Sequence, residues 1–364
     1  MTMAALLRRL TGPSAAVRAA LLVSVAALAA CSTSGGSANT QPHTPTPSPS
    51  PTSTVSAAPS AHVYVADQGS NSITSYAATG ATPNQAPIGT IAGSNTGLAA
   101  PISIALDGAG NIYVANTLTV TVYPANPLGT LNEAPTATIN VGASDGGVAL
   151  YGVGVDATGK IYVATPGLIL VYAANPAGTV TAPIATISGS NTLLAEIHNF
   201  AFDASGRIYV TDNVHGILVF LANPSGTLNE APVANIPRSA TSGLSYPWGI
   251  ALDSSGKIYT LDTAHIYVFP ANPVGTMDEA PLATITGSNT ELDGGNDGMA
   301  VDASGAMYAA DDSSNIIAEF AANPSGTLNE APVATIAGSN TGLSGSRSVA
   351  VTGAVFADSV RRRR

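Results

Sequence analysis

One tetrad recurs through most of the chain at nearly constant spacing, and it fixes the architecture before any single residue is considered. Ile112-Tyr113-Val114-Ala115 returns as Ile161-Tyr162-Val163-Ala164, Ile208-Tyr209-Val210-Thr211, Ile258-Tyr259-Thr260-Leu261 and Met307-Tyr308-Ala309-Ala310, and is preceded by Val63-Tyr64-Val65-Ala66. Consecutive tyrosines of the six copies lie 49, 49, 47, 50 and 49 residues apart. Repeats of about 40–50 residues built from strands are the signature of a propeller, in which each repeat buries its faces only against its neighbours.

Within one period the β-branched and Tyr-rich runs divide into four strands bounded by Gly, Pro, Asn and Asp. In the fifth copy these are residues 249–252 (a), 257–261 (b), 265–270 (c) and 281–286 (d), with a tight turn at 253–256 and a loop at 271–276. The expectation is an all-β, six-bladed β-propeller of four-stranded antiparallel blades. Strand a is missing from the first copy and reappears at the far end as residues 348–351, so a C-terminal strand is expected to close the ring. Residues 354–358 read as one further strand with no place in the ring.

The stretch Tyr246-Pro247-Trp248-Gly249-Ile250-Ala251-Leu252-Asp253-Ser254-Ser255-Gly256-Lys257-Ile258-Tyr259 resembles the NHL repeat. That pattern runs Pro-x-Gly-(Ile/Val)-Ala-(Val/Leu)-Asp and then Gly-(Asn/Lys)-(Ile/Val)-Tyr-Val-(Ala/Thr)-Asp. The resemblance covers about residues 61–358, and it implies a propeller used mainly to bind proteins or ligands, with occasional enzymes.

The residues before the propeller read as an address. Arg8, Arg9 and Arg18 precede an apolar run at 19–30, shorter than the ~20 residues that span a bilayer, as in a secretory signal. Leu28-Ala29-Ala30-Cys31 resembles the bacterial lipobox, which implies lipidation of Cys31, the only cysteine. Residues 31–60 are then the lipidated Cys and a Ser/Thr/Pro-rich tether without charge, too polar to fold and stiffened by its prolines. Residues 1–30 would be the lipoprotein signal peptide, 61–358 the propeller and 359–364 a basic tail. The expected location is outside the cytoplasm, at the cell surface or in the periplasm, on a membrane through the lipid.

Charge narrows the partners. The full chain carries −10, and loss of residues 1–30 leaves nine basic residues against 22 acidic ones, a net of −13. Nucleic acid is excluded as a partner, because its phosphates need Lys and Arg. A monomeric propeller is expected, with a protein or a polar or glycan ligand as partner.

Repetition also separates scaffold from site. Asp107, Asp156, Asp203, Asp253 and Asp302 recur before a Gly-containing turn and read as turn residues that accept backbone N–H groups. The Asn-Pro-x-Gly-Thr segments beginning at Asn126, Asn175, Asn223, Asn272 and Asn323 read as connectors. A site must lie where equivalent positions differ. Five residues before the turn Asp the copies carry Ile102, Tyr151, His198, Trp248, Asp297 and Arg347, which the propeller places around one channel mouth. Tyr151 and Trp248 would stack on a ligand while His198, Asp297 and Arg347 bind its polar groups. The ends of strand b, Asp67, Asn116, Thr165, Asp212, Asp262 and Asp311, open on the same face, with His215 and His265 in the loops that follow and Asp312 and Asn315 nearby.

No complete phosphate-binding loop and no His-Glu-x-x-His motif is present. His198 near Asp212 is the candidate general base for a catalytic reading, since His titrates near neutrality. Six-bladed lactonases of the regucalcin type hold an axial divalent ion with Glu, Asn and Asp, and by that resemblance Glu196, Asn199 and Asp297 would bind calcium in a metal-assisted lactonase or lyase. The family's Ser-Asn-Gly-Leu stretch is absent, and virginiamycin-lyase-like propellers carry Leu-Trp-Phe-Thr-Glu where this chain has Ile-Tyr-Val-Ala-Asp. The leading expectation is therefore a binding module without cofactor, with the metal-assisted enzyme as the alternative.

Overall fold

The computed structural model describes residues 61–78, 82–142, 147–295 and 298–352. The signal, Cys31, the tether, Asp297, residues 354–358 and the basic tail lie outside the described residues.

The strands assemble into six small sheets arranged in a ring, a six-bladed β-propeller. In the fifth blade Pro247–Leu252, Ile258–Asp262, His265–Phe269 and Ala283–Ile285 pair antiparallel in that order, which is the a-b-c-d sequence expected from the repeat. Strand b is buried along its whole length in every blade except at His62, which opens the first, because both of its faces pack against neighbours. The buried apolar side chains form six clusters, one at each interface between blades. Tyr259, Leu261 and Val268 of the fifth blade, for example, meet Met299, Met307 and Ala309 of the sixth. No blade has a core of its own, so stability is shared around the ring.

Blades one to five carry a fifth strand that the sequence reading assigned to a connector. Gly129–Leu131, Gly178–Val180, Gly226–Leu228, Gly275–Thr276 and Gly326–Leu328 each pair in parallel with strand d of the preceding blade. The physical reason is the free edge of strand d, which would otherwise present unpaired N–H and C=O groups. Glycine opens each of these strands at a φ of about +61 to +68°, a backbone turn that side chains rarely adopt. Asparagines beyond the strand complete the latch: Asn132, Asn229 and Asn329 accept hydrogen bonds from the backbone N–H of Asn95, Asn191 and Asn289, each at 2.9 Å. The first blade lacks the Asn-Pro-x-Gly-Thr segment, yet Asn84 performs the same task on the sixth, accepting from Asn340 N–H at 2.8 Å.

The repeated aspartates are turn residues. Asp253 Oδ1 accepts from the backbone N–H groups of Ser255 and Lys257, and its Oδ2 accepts from Tyr259 Oη–H at 3.0 Å. The same Asp–Tyr contact recurs in blades two to six, so the motif's tyrosine pins the a–b turn. Burial raises the Asp253 carboxyl, but hydrogen bonds from Ser255, Tyr259 and Lys257 outweigh it and hold the group below its ordinary value.

The C-terminal strand Ser346–Val351 pairs antiparallel with His62–Asp67 and closes the ring, with Val63 opposite Val351 and Val65 opposite Val349. Asp67 stands at this joint, fully buried. It accepts from Thr74 Oγ1 (2.7 Å), Ser346 Oγ (3.1 Å) and Ser344 N–H (3.3 Å). Burial pushes its carboxyl up to about 7, against the pull of these three donors. The folded state thus holds this proton more tightly than the unfolded chain, so Asp67 costs stability progressively as pH rises from about 4 to 7. His198, lowered by burial to about 4, acts with the opposite sign and costs stability as pH falls from about 6.5 to 4. The difference between wild type and Asp67→Asn isolates the first term. The variant is expected to gain on the wild type by up to about 4 kcal/mol between pH 4 and 7, read from thermal melts at each pH. Parallel curves would contradict the buried-carboxyl account.

Candidate functional site at the channel mouth

Strand a runs along the axis in every blade, and the inner strands of all six blades line an apolar channel of about 140 Å³. Channel-lining residues include Ile104, Val155, Phe202, Leu252, Val301 and Val351. At the end of strand a remote from the Asp turns lies a second cavity of about 210 Å³. Ile102, Tyr151, His198, Trp248 and Arg347 all line it, together with Gln68, Leu150, Asn199 and Gly298. Five of the six members of the variable column therefore share one cavity, and the sixth, Asp297, lies outside the described residues. Asn199 lines both spaces.

Three rings form a continuous wall. His198 lies between Trp248 (centroids 3.8 Å apart, planes at 33°) and Tyr151 (5.1 Å, 59°). His198 is 6% exposed, and burial lowers its imidazole to about 4, an effect the Asp212 charge only partly offsets. The ring is neutral at pH 7. The Asn213 side-chain amide is hydrogen-bonded to its Nε2 at 2.8 Å. Arg238 in turn donates to Asn213 O and stacks on Tyr246, 4.7 Å from the ring centroid. Trp248 Nε1 is buried and has no acceptor among the described residues, a state that costs about 1–3 kcal/mol.

Arg347 faces this wall across the cavity, held from both sides. Its Nε–H donates to Gln68 Oε1 at 3.1 Å, and its guanidinium lies 3.1 Å from Asp312 Oδ2. The first contact spans blade one, the second reaches from blade one to blade six, so the orientation depends on the closed ring.

The ends of strand b serve the scaffold. Asp67, Asn116, Asp212, Asp262 and Asp311 accept backbone N–H groups of the loop leading into strand a, from Ser344, Ala99, Ala195, Ser245 and Asp293 respectively. This corrects the candidate dyad. Asp212 is engaged by Ala195, Val214 and His215 N–H and lies 3.2 Å from the His215 ring, while the hydrogen bond of His198 goes to Asn213; the two do not bond. His265 stacks on Tyr267 at 5.6 Å. Of the calcium candidates, Asn199 Oδ1 accepts from Phe200 N–H and the backbone carbonyl of Glu196 accepts from Asn213 N–H. No group of three His, Cys, Asp or Glu side chains placed to hold a metal ion occurs among the described residues.

Sequence reasoning missed Gln68 and Asn213 as partners of the site, and placed Asp312 only near its face. They occupy one column, the residue after strand b, whose other members are Thr117, Pro166 and Thr263. That column varies as strongly as the first, and the same test applied one residue further would have found it. The sequence reading found no Gly-x-Ser-x-Gly elbow, yet residues 142–146 spell that nucleophile pattern; Ser144 lies outside the described residues.

No family model matches the chain, and no curated protein matches it. Solved structures do. The chain is similar to a protein of unknown function from Bacteroides caccae, at 11% identity and a TM-score of 0.54 over 80% of this chain and 98% of that one. A virginiamycin B lyase from Staphylococcus aureus aligns at 11% identity and a TM-score of 0.47, over 72% of this chain and 78% of that one. The likeness is one of fold. No helix among the described residues is long and apolar enough to cross a membrane.

Proposed function

We propose that the protein is an NHL-type recognition module, lipid-anchored through Cys31 outside the cytoplasm, that takes a polar ligand at the channel mouth. The observation that carries this reading is the convergence of the variable column on one cavity. Where the other columns repeat a structural residue, Tyr151, His198, Trp248 and Arg347 bring an aromatic wall and a fixed guanidinium together. Partners in the second variable column, Gln68, Asn213 and Asp312, orient two of the four. Such a small set of placed polar groups beside aromatic faces is the composition of a binding pocket.

Two experiments test the two halves of the reading. The full chain is expected in the membrane fraction of a bacterial host, and Cys31→Ser is expected to release it; an unchanged distribution would contradict the anchor. Capture of surface glycans or proteins by the full chain is expected to be lost in the double variant Trp248→Ala/Arg347→Ala.

A further inference from the structure

We propose that the mouth recognises an uncharged sugar ring, the terminal pyranose of a neutral saccharide, in preference to an anionic ligand. This rests on the reading of the mouth as the ligand site and names what that site selects.

The charge balance comes first. Among the described residues Arg347 is the one cation lining the cavity, and Asp312 already lies 3.1 Å from it. A phosphate or carboxylate would have to displace Asp312 or approach a guanidinium whose charge is balanced. It would also enter the field of a strongly acidic chain, at −10 overall. His198 supplies no second cation, because burial keeps its imidazole neutral at pH 7. Among the described lining residues, the side-chain amides of Gln68 and Asn199 are neutral.

Shape and hydrogen bonding favour the same ligand. The Tyr151–His198–Trp248 wall offers apolar ring faces against which the C–H face of a pyranose packs, with polar atoms at their edges. Hydroxyl groups both donate and accept, which suits the amides of Gln68 and Asn199 that line the cavity. At about 210 Å³ the cavity is smaller than the ~300–1,000 Å³ that enclose drug-sized ligands. It accommodates one ring, so the recognised group is a chain end.

The test is calorimetry of the full chain with the methyl glycosides of glucose, galactose and mannose, and with methyl glucuronide and glucose 6-phosphate as anionic counterparts. At least one neutral glycoside is expected to bind, about tenfold or more tighter than the anionic sugars, with binding lost in Trp248→Ala. Asp312→Asn, which leaves the Arg347 charge unbalanced, is expected to raise affinity for methyl glucuronide about tenfold and narrow or reverse that preference. Tighter binding of the anionic sugars by the wild type would overturn the proposal, as would silence from all three neutral glycosides. If captured material is then still lost in Trp248→Ala/Arg347→Ala, the mouth stands as the site and only the sugar fails. Capture that persists in the double variant overturns both.

Discussion

Gly152→Ala is expected to be among the most damaging single-methyl additions in the protein. Gly152 begins strand a of the third blade, where that strand passes closest to its neighbour in the fourth. A Cβ placed there would lie 1.7 Å from the carbonyl oxygen of His198 and 2.9 Å from its carbonyl carbon. Both atoms are backbone, so no side chain can turn away to make room. The contact can be relieved only by separating two inner strands at the axis, which loosens the interface between blades three and four. Overpacking typically costs about 1–3 kcal/mol and occasionally more, and this site is expected at or above the top of that range. For a domain of this size that lowers the melting temperature by roughly 5 °C or more. Gly108→Ala is the control: a Cβ there meets nothing within 4 Å, and the equivalent turn positions already carry Ala157, Ala204 and Ala303. Equal melting temperatures for the two variants would contradict the packing account. Because the displaced backbone belongs to His198, any Gly152→Ala protein that folds is also expected to bind ligand more weakly.

The second large effect is on binding. Buried or half-buried Trp and Arg residues are the side chains whose truncation most often costs 2 kcal/mol or more at an interface. Trp248 in blade five and Arg347 in blade one are separated by blade six and joined to different partners, so their losses are expected to be close to additive. Trp248→Ala/Arg347→Ala is therefore expected to weaken capture by on the order of 1,000-fold. The fold should survive, since neither residue belongs to the six apolar clusters that join the blades. Trp248→Phe keeps a ring against His198 but removes the indole N–H and part of the ring face, so it is expected to fall between wild type and the double variant. A melting transition unchanged within a few degrees, together with lost capture, supports the mouth; unchanged capture rejects it.

Much of this architecture was legible because repetition averages out local ambiguity. A single Ile-Tyr-Val-Ala could be any buried strand, but six copies at nearly equal spacing fix strand b, and the Asp before each Gly-containing turn fixes its partner. The closing strand was legible for the same reason: one copy of strand a was missing from one end and present at the other. The fifth strand was not. Gly226–Leu228 is short and largely exposed, and it pairs with Ala185–Ser188 of a different repeat, so nothing within its own period marks it as a strand. The site divides along similar lines. Variation among equivalent positions pointed to Tyr151, His198, Trp248 and Arg347, yet the same face misled at Asp212. A carboxylate beside a candidate histidine invites an acid–base reading, but five of the six strand-b ends are needed to satisfy the loop entering strand a. The backbone's demand for acceptors claimed the group first.

The chain contains one tryptophan, and it lines the mouth. Its fluorescence therefore reports the central claim without a label. Titration of the full chain with any ligand shown by calorimetry to bind is expected to shift or quench Trp248 emission along the same binding curve, and Arg347→Ala is expected to weaken both signals together. A ligand that binds with measurable heat while Trp248 emission stays unchanged would place the site elsewhere on the propeller and contradict the account.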